Sequence, residues 1–339
     1  MNQERVENIF SSTGGLGVSR RQNQRLYVNG NNFADNPGVV IANFGRLMEI
    51  RQSYPEKIGR CVYRTVASNE VVEEIVRNGQ RQHLEVALPI NEFTNDNSWL
   101  LYMANNDPSR SRIVSQETMI EATSEKRGMN VSPETRINYL RNKGMEFITR
   151  FGENEINDIY ELWSETFGWT RQEIRNLSHR LGKDNVWFCA AVDQGRIVSL
   201  AMAERLTIPA SGRNLELVES TEWRSRPGYS GKGSIAAVLA ILNSQILESL
   251  PQIPLIYAEC NFQSRSDRAG RGAGFEIPRR DSQGLPAPQI LVQNVNVDDG
   301  QIVPEGKLRD FTFMYLPSEV INTYYHPEAR KRIINLSNR

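Results

Sequence analysis

The chain has 339 residues, enough for two domains of ordinary size, and its 40 basic and 40 acidic residues cancel to a net charge of zero. That balance leaves no global field to draw it to nucleic acid or to an anionic membrane, so any basic patch is local. Three cysteines, Cys61, Cys189 and Cys260, lie in apolar, strand-like runs, which predicts buried reduced thiols and a cytoplasmic protein, not a disulfide framework.

His83, His179 and His326 are scattered without ligand spacing, so neither a zinc site nor a Ser-His-Asp triad is expected, and no metal is predicted. No apolar run approaches membrane-spanning length, and Met1 to Ser11 are polar and mixed in charge, unlike a signal segment. Gly14, Gly15 and Gly17 follow two serines with no strand before them, so residues 1–23 are read as a mobile tail.

From Arg25 the pattern is regular. A strand around Leu26-Tyr27-Val28 precedes a helical face from Val39 to Ile50, and Lys57 to Tyr63 reads as a strand. Ser68 then caps a helix carrying Val71, Val72 and Ile75 that stops near Asn78-Gly79, and strands follow at His83–Leu88 and Ser98–Met103. Residues 105–143 are rich in Ser, Asn, Arg and Glu with few core positions, and are read as a linker between a first domain at 24–104 and a second at 144–339.

The second half begins with a strand from Met145 to Arg150, a helix from Asn154 to Phe167 and another from Arg171 to Leu181. Three strands come next, Val186–Val192, Ile197–Ile208 and Leu215–Trp223, with a hairpin signal at Gln194-Gly195. Ser234 to Leu250 then places Ile235, Val238, Leu239, Leu242 and Ile246 on one helical face, and Pro251 ends it. Strand Leu255–Cys260, a short helix Ser264–Gly272, a strand starting at Gly274-Phe275-Glu276 and a last strand Phe311–Leu316 complete the order. Helix, strand, helix, strand, strand occurs in both halves, so the chain reads as two related units.

Between the third of those strands and its helix lies Ser225-Arg226-Pro227-Gly228-Tyr229-Ser230-Gly231-Lys232-Gly233, a Gly-x-Gly turn opening a helix. Glycines let backbone approach an anion, and free N–H groups at the positive end of the helix dipole attract it, so Ser230, Gly231, Lys232, Gly233 and Ser234 are candidate phosphate-binding residues. The first half has Asn36-Pro37-Gly38 in the equivalent place, without that pattern.

Residues 145–316 resemble the GNAT acyltransferase fold in element order, and two local motifs agree. Ser225 to Gly233 is similar to the family's Val-x-Pro-x-Tyr-Arg-Gly-x-Gly, and Gly272-Ala273-Gly274-Phe275-Glu276 to its Lys-Leu-Gly-Phe-Glu. Glu219-Ser220-Thr221-Glu222 further resembles the Glu-x-Thr-Asp of β-lysine N-acetyltransferase-like proteins, whose truncated first domain is similar to residues 24–104 in the order of Gln24 to Val28, Lys57-Ile58, Val76 to Gly79 and Leu84 to Pro89. The chain differs from the family at Ser230, where Arg or Gln is usual, at Ile235, usually small, at Asp267, an Asn in the closer relatives, and at Gly270, where many members carry the Tyr that protonates the leaving thiolate.

The resemblance implies an α+β protein: a GNAT fold, with a central mixed, mostly antiparallel sheet and flanking helices, preceded by a truncated GNAT-like half-domain. It implies transfer of an acyl group from acetyl-CoA or a longer acyl-CoA to the side-chain amine of a lysine-, β-lysine- or ornithine-like acceptor. An ammonium has no lone pair, so it must lose a proton before it attacks, and a carboxylate, directly or through a water, can take that proton. Glu219 matches the acid residue of several GNAT enzymes and is the first candidate base; Glu222 is the second. Strict strand alternation puts them on opposite faces, and a bulge would exchange their roles. Two alternatives stand beside this: acylation, including fatty acylation, of a lysine or ornithine in a peptide, and a degenerate member that binds CoA or a partner without turnover. The expected partner is a small amine or a peptide amine, and self-association is left open.

Overall fold

A computed structural model of the chain describes residues 18–21, 25–30, 32–53, 60–80, 83–94, 97–105, 129, 131–181, 185–250, 252–261, 265–277, 291–293 and 309–337. It divides into two compact units: residues 1–124, 207–215 and 277–313 form one, and residues 125–206, 216–276 and 314–339 the other.

The first unit holds a five-stranded sheet in the order β1-β2-β3-β5-β4, built from β1 (Val18–Arg21), β2 (Arg25–Asn29), β3 (Arg60–Ser68), β4 (Leu84–Pro89) and β5 (Ser98–Asn105). β2 and β3 run parallel, and β1–β2, β3–β5 and β4–β5 run antiparallel, so the sheet is mixed. Helices α1 (Pro37–Ser53), α2 (Asn69–Arg77) and the short α3 (Asn91–Thr94) connect them. Val40, Phe44 and Leu47 of α1 and Val71, Val72 and Ile75 of α2 bury one face of each helix against Cys61, Tyr63, Leu101 and Met103. Burying each large apolar side chain contributes ~1.5–3 kcal/mol. Ser68 caps α2 as its sequence predicts, its hydroxyl accepting from the Val71 N–H at 3.4 Å.

The second sheet has seven strands in the order β11-β12-β10-β9-β8-β7-β6. Its strands are β6 (Glu146–Ile148), β7 (Val186–Asp193), β8 (Arg196–Ala210), β9 (Arg213–Ser225), β10 (Leu255–Asn261), β11 (Leu291–Gln293) and β12 (Arg309–Tyr315). The β7–β8 hairpin turns at Gln194 and Gly195, both at positive φ (50° and 76°), the left-handed pair that a two-residue turn requires. Helices α4 (Pro133–Arg141), α5 (Glu153–Phe167), α6 (Arg171–Arg180), α7 (Ser234–Ser249), α8 (Arg265–Gly272), α9 (Ser318–Tyr324) and α10 (Pro327–Ser337) flank it. The sheet is mixed, with β9 and β10 parallel and its β6–β7, β7–β8 and β11–β12 pairs antiparallel, so the expected α+β arrangement with flanking helices is present, and the smaller sheet of the first half precedes it in the chain.

Four sequence expectations are corrected. Val18–Arg21, inside the span read as a mobile tail, pairs antiparallel with β2; main-chain pairing at a sheet edge needs no apolar pattern. The span read as a linker contains α4, whose Ser132 cap, Pro133 at the first turn and buried Ile137 and Leu140 make an ordinary helix. Glu276 makes a single bridge to Tyr315 where a full strand was expected, and the turn before it needs Gly274 at φ +96°. α7 is buried on nearly all sides, not on one face, because β7 packs on one flank and α4 and α10 on others. The helical potential near 117–126 and the glycines at 14–17 lie outside the described residues.

Candidate functional site

β9 pairs with β10 in parallel through Leu217↔Leu255, Val218↔Ile256 and Glu219↔Tyr257, the last pair of that register. Both strands continue beyond it, β9 to Ser225 and β10 to Asn261, so their main-chain groups past Glu219 are no longer bonded to each other by that ladder. In general, where two parallel strands stop pairing, main-chain N–H and C=O groups can be bridged by an extended polar ligand.

Glu219 is half-buried between Val218 and Ser220, which are buried, and its Oε2 accepts a hydrogen bond from the Tyr257 hydroxyl at 3.1 Å. Tyr257 is itself buried, so this carboxylate is held from the sheet side. Glu222 takes a different position. It has φ +58°, a left-handed conformation rare for a residue with a side chain, and its carbonyl accepts the indole N–H of Trp163 at 2.9 Å. The kink breaks strand alternation at this residue. Trp223, three residues after Ser220, therefore lies on the same side as Ser220 and donates its indole N–H to that hydroxyl at 2.9 Å. Oε2 of Glu222 is buried.

The segment after β9 is anchored on both sides. Arg226 donates to the Ile197 carbonyl at 2.8 Å and to Asp158 at 2.8 Å, and pairs with Glu161 at 3.0 Å. Asp158 also accepts the Ile197 N–H at 2.9 Å, locking the segment to α5 and β8. Tyr229 donates its hydroxyl to Asp193 at 2.5 Å, and this carboxylate raises the Tyr229 phenol above its ordinary value, with burial adding to the effect. A short 3₁₀ turn, Pro227–Tyr229, leads into the glycines.

Gly231 and Gly233 stand at φ +86° and +83°, the left-handed region that only glycine occupies freely. A side chain at Gly231 would meet open space, so the turn presents its backbone unobstructed there. Gly233 caps α7 without a side-chain hydrogen bond, the first turn of α7 holds no acidic residue, and Ala237 is the first N–H to bond back, to the Gly233 carbonyl at 3.1 Å. The N–H groups of the first turn are thus left for an anion.

The predicted side chains divide. Lys232 lies with its ammonium 4.9 Å from the Tyr229 ring centre, a cation–π contact at the turn's surface. Ser234 is buried and its hydroxyl is committed to Ser199 at 2.7 Å, as Ser199 is in turn to Ser225, so Ser234 offers its backbone N–H and not its hydroxyl. Ser230 is half-buried and its N–H reaches Pro227 O at 3.4 Å. Trp163 belongs to the core with Phe188 and Ile174, and Phe167 and Trp169 pack against that core. All three cysteines are buried and outside any disulfide, and burial pushes the Cys189 thiol well above its ordinary range.

Gly270 of α8 faces Trp223: a side-chain carbon there would sit 3.2 Å from the Trp223 ring and 3.3 Å from Met314 Sδ. That ring, edge-on to Phe275 with centres 5.6 Å apart, fills the room a larger residue at 270 would need. One residue near the turn was missed by sequence reasoning. Arg136 of α4 brings its Nη1 within 3.1 Å of where a side-chain carbon on Gly233 would be. A cavity of about 660 Å³ opens elsewhere, at the β6–β7 edge between Arg150, Trp187, Gln245 and Ile334, and no predicted site residue lines it. Among the described residues no group of three or more His, Cys, Asp or Glu could hold a metal, and no helix is long and apolar enough to cross a membrane.

Comparison with known proteins bears on the same segment. Among solved structures, a protein from Enterococcus faecalis V583 described as a probable N-acyltransferase is 16% identical with a TM-score of 0.32, covering 39% of this chain and 32% of its own. This chain thus spans about a third of that protein's length. Arabidopsis thaliana NAA60 bound to a bisubstrate analogue is 14% identical at a TM-score of 0.37, over 51% of this chain and 98% of its own. A spermidine N-acetyltransferase chimera of Vibrio cholerae SpeG and hSSAT is 14% identical at 0.35, over 52% and 99%. No curated protein matches the sequence. Residues 148–251, from β6 through the glycine turn to the end of α7, match the family model described as an acetyltransferase (GNAT) domain, and the chain carries a domain of that kind.

Proposed function

We propose that the protein is a cytoplasmic N-acyltransferase that moves an acyl group, acetyl by default, from acyl-CoA to the side-chain amine of a lysine-, β-lysine- or ornithine-like acceptor. The observation that carries this reading is the end of β9–β10 pairing at Glu219, followed by two left-handed glycines before a helix with no side-chain cap; Glu219, the glycines and that helix all lie within the segment that matches the GNAT model. Gly231, Gly233 and the N–H groups from Ser234 onward would hold the donor's phosphates, with Ser230 and Lys232 flanking them.

The acceptor amine attacks the thioester carbonyl directly, without a covalent enzyme intermediate; the C–N bond forms, the C–S bond breaks, and CoA leaves as its thiolate and is released as the thiol. Glu219 takes the proton that the ammonium must lose, and the Tyr257 hydroxyl holds its carboxylate in place. Main-chain N–H groups beyond the end of β9–β10 pairing would stabilise charge on the thioester oxygen. Glu222, at its left-handed position, acts through the shape it gives β9. Incubating the protein with acetyl-CoA and longer acyl-CoAs against a panel of diamines, free amino acids and lysine-containing peptides tests this, with thiol release and product mass followed together. Product mass on a side-chain amine supports it; thiol release with no acylated amine contradicts it.

A second reading, binding of acyl-CoA without turnover, is favoured by Trp223 over Gly270, where many GNAT members carry the proton-donating tyrosine. Saturable CoA binding with no product from any amine would select it.

A further inference from the structure

Arg136 stands in the slot between Gly233, at the start of α7, and Gly272, the last residue of α8. Its Nη1 lies 3.1 Å from where a side-chain carbon on Gly233 would be, and its Nη2 and Cζ lie 3.8 and 4.0 Å from the same point on Gly272. Glycine at 233 is what leaves space for the guanidinium, while at 272 a side-chain carbon would meet it at ordinary contact distance. The helix that carries it is fixed: Ser132 caps α4, Ile137 and Leu140 are buried, and Glu134 pairs with Arg332 of α10 at 3.0 Å. Arg136 is therefore aimed by its scaffold.

Its surroundings offer it little in return. Nε is buried with no hydrogen-bond partner among the described residues, and burial depresses the guanidinium's pKa, partly offset by the Tyr325 phenol. The neighbouring end of α7 is the positive end, carrying about half an elementary charge, and its first turn has no acidic residue and no side-chain cap. Two positive groups thus meet around Gly233 at a net electrostatic cost. An anion placed between them would satisfy the helix N–H groups and the guanidinium together.

We propose that Arg136 is the cation of the donor cradle, donating from its guanidinium to a phosphate oxygen of the acyl donor held at Gly233 and the first turn of α7. The inference rests on the acyl-CoA reading above and adds to it a residue from a helix outside the matched domain. Lys232 is then the lesser cation, since its ammonium lies over the Tyr229 ring. Arg136 also explains part of the restriction at Gly233, because a side chain there would displace the guanidinium as well as strain the backbone.

The test is calorimetry of CoA binding to the full-length wild type, Arg136→Met and Arg136→Lys, at several salt concentrations. Arg136→Met should weaken CoA binding about tenfold to a hundredfold and flatten its salt dependence, with Arg136→Lys intermediate. Without ligand, Arg136→Met should melt no lower than wild type, because a partly buried charge beside the positive end of α7, with no partner for its buried Nε, has been removed. Wild-type affinity and salt dependence in Arg136→Met overturn the inference and leave the donor site intact. A drop in ligand-free melting temperature with unchanged salt dependence marks Arg136 as structural and also overturns it. Absence of CoA binding to the wild type sinks the donor reading itself, and the inference with it.

Discussion

The Tyr257 hydroxyl donates to Glu219 Oε2 across the last register pair of the parallel β9–β10 ladder, so the candidate base is positioned by the strand beside it. One carboxylate oxygen is engaged with the phenol and the other is directed by the same restraint. A base held in this way loses little orientational freedom when the acceptor arrives.

Glu219→Gln keeps size and hydrogen bonding but removes the base. Turnover should fall about a hundredfold or more, with CoA affinity little changed and partial recovery at high pH, where more acceptor amine is already neutral. Tyr257→Phe should cost less, about tenfold, since it loosens the carboxylate without removing it. Steady-state rates across pH for both variants, with CoA affinity measured separately, check this; full activity of Glu219→Gln at neutral pH counts against the assignment.

The glycine turn is predicted to depend on Asp158, which accepts from the Ile197 N–H, from Arg226 and from Arg196. Asp158→Ala strands those donors and should destabilise the fold by about 2–4 kcal/mol, the range for a largely buried charged hydrogen-bond centre. Denaturant unfolding reads the stability loss. CoA affinity of the folded variant should fall too, because Arg226 holds the start of the turn.

Tyr229 offers a spectroscopic check on the turn. Its phenol is raised by the Asp193 carboxylate, so it should ionise at higher pH than a free tyrosine, and Asp193→Asn should lower that value. Difference absorbance between wild type and Tyr229→Phe isolates this one phenol. No change on Asp193→Asn would contradict the contact.

Cys61, Cys189 and Cys260 are all buried and outside any disulfide. None should react with iodoacetamide in the folded protein, while all three should react in denaturant, as mass spectrometry would show. Rapid labelling of any one under native conditions would contradict its burial.

Much of this was legible in the sequence. The 3.6-residue apolar spacing of α5 and α6, the Ser68 cap and the Gln194-Gly195 hairpin all follow from local rules, and the structure keeps them. The Glu222 kink was not legible, since nothing in Ser220-Thr221-Glu222-Trp223 requires a left-handed glutamate. It is held in part by the indole of Trp163, fifty-nine residues earlier. Arg136 was hidden for a similar reason. α4 has only Ile137 and Leu140 as apolar anchors in a polar stretch, and the guanidinium gains its meaning from two glycines far along the chain. The inward turn of Ser234 likewise depends on Ser199, a tertiary contact that no local pattern marks.

The most direct measurement pairs the wild type with the double variant Gly231→Asp, Gly233→Asp in one reaction with acetyl-CoA and a lysine-like amine, following free thiol and acylated product together. Two carboxylates and added bulk would occupy the anion's place at the head of α7. The wild type should release one thiol for each amine acylated, and the correctly folded double variant should neither bind CoA nor release thiol. Equal rates in the two proteins, or thiol release from the wild type with no acylated amine, would contradict the account.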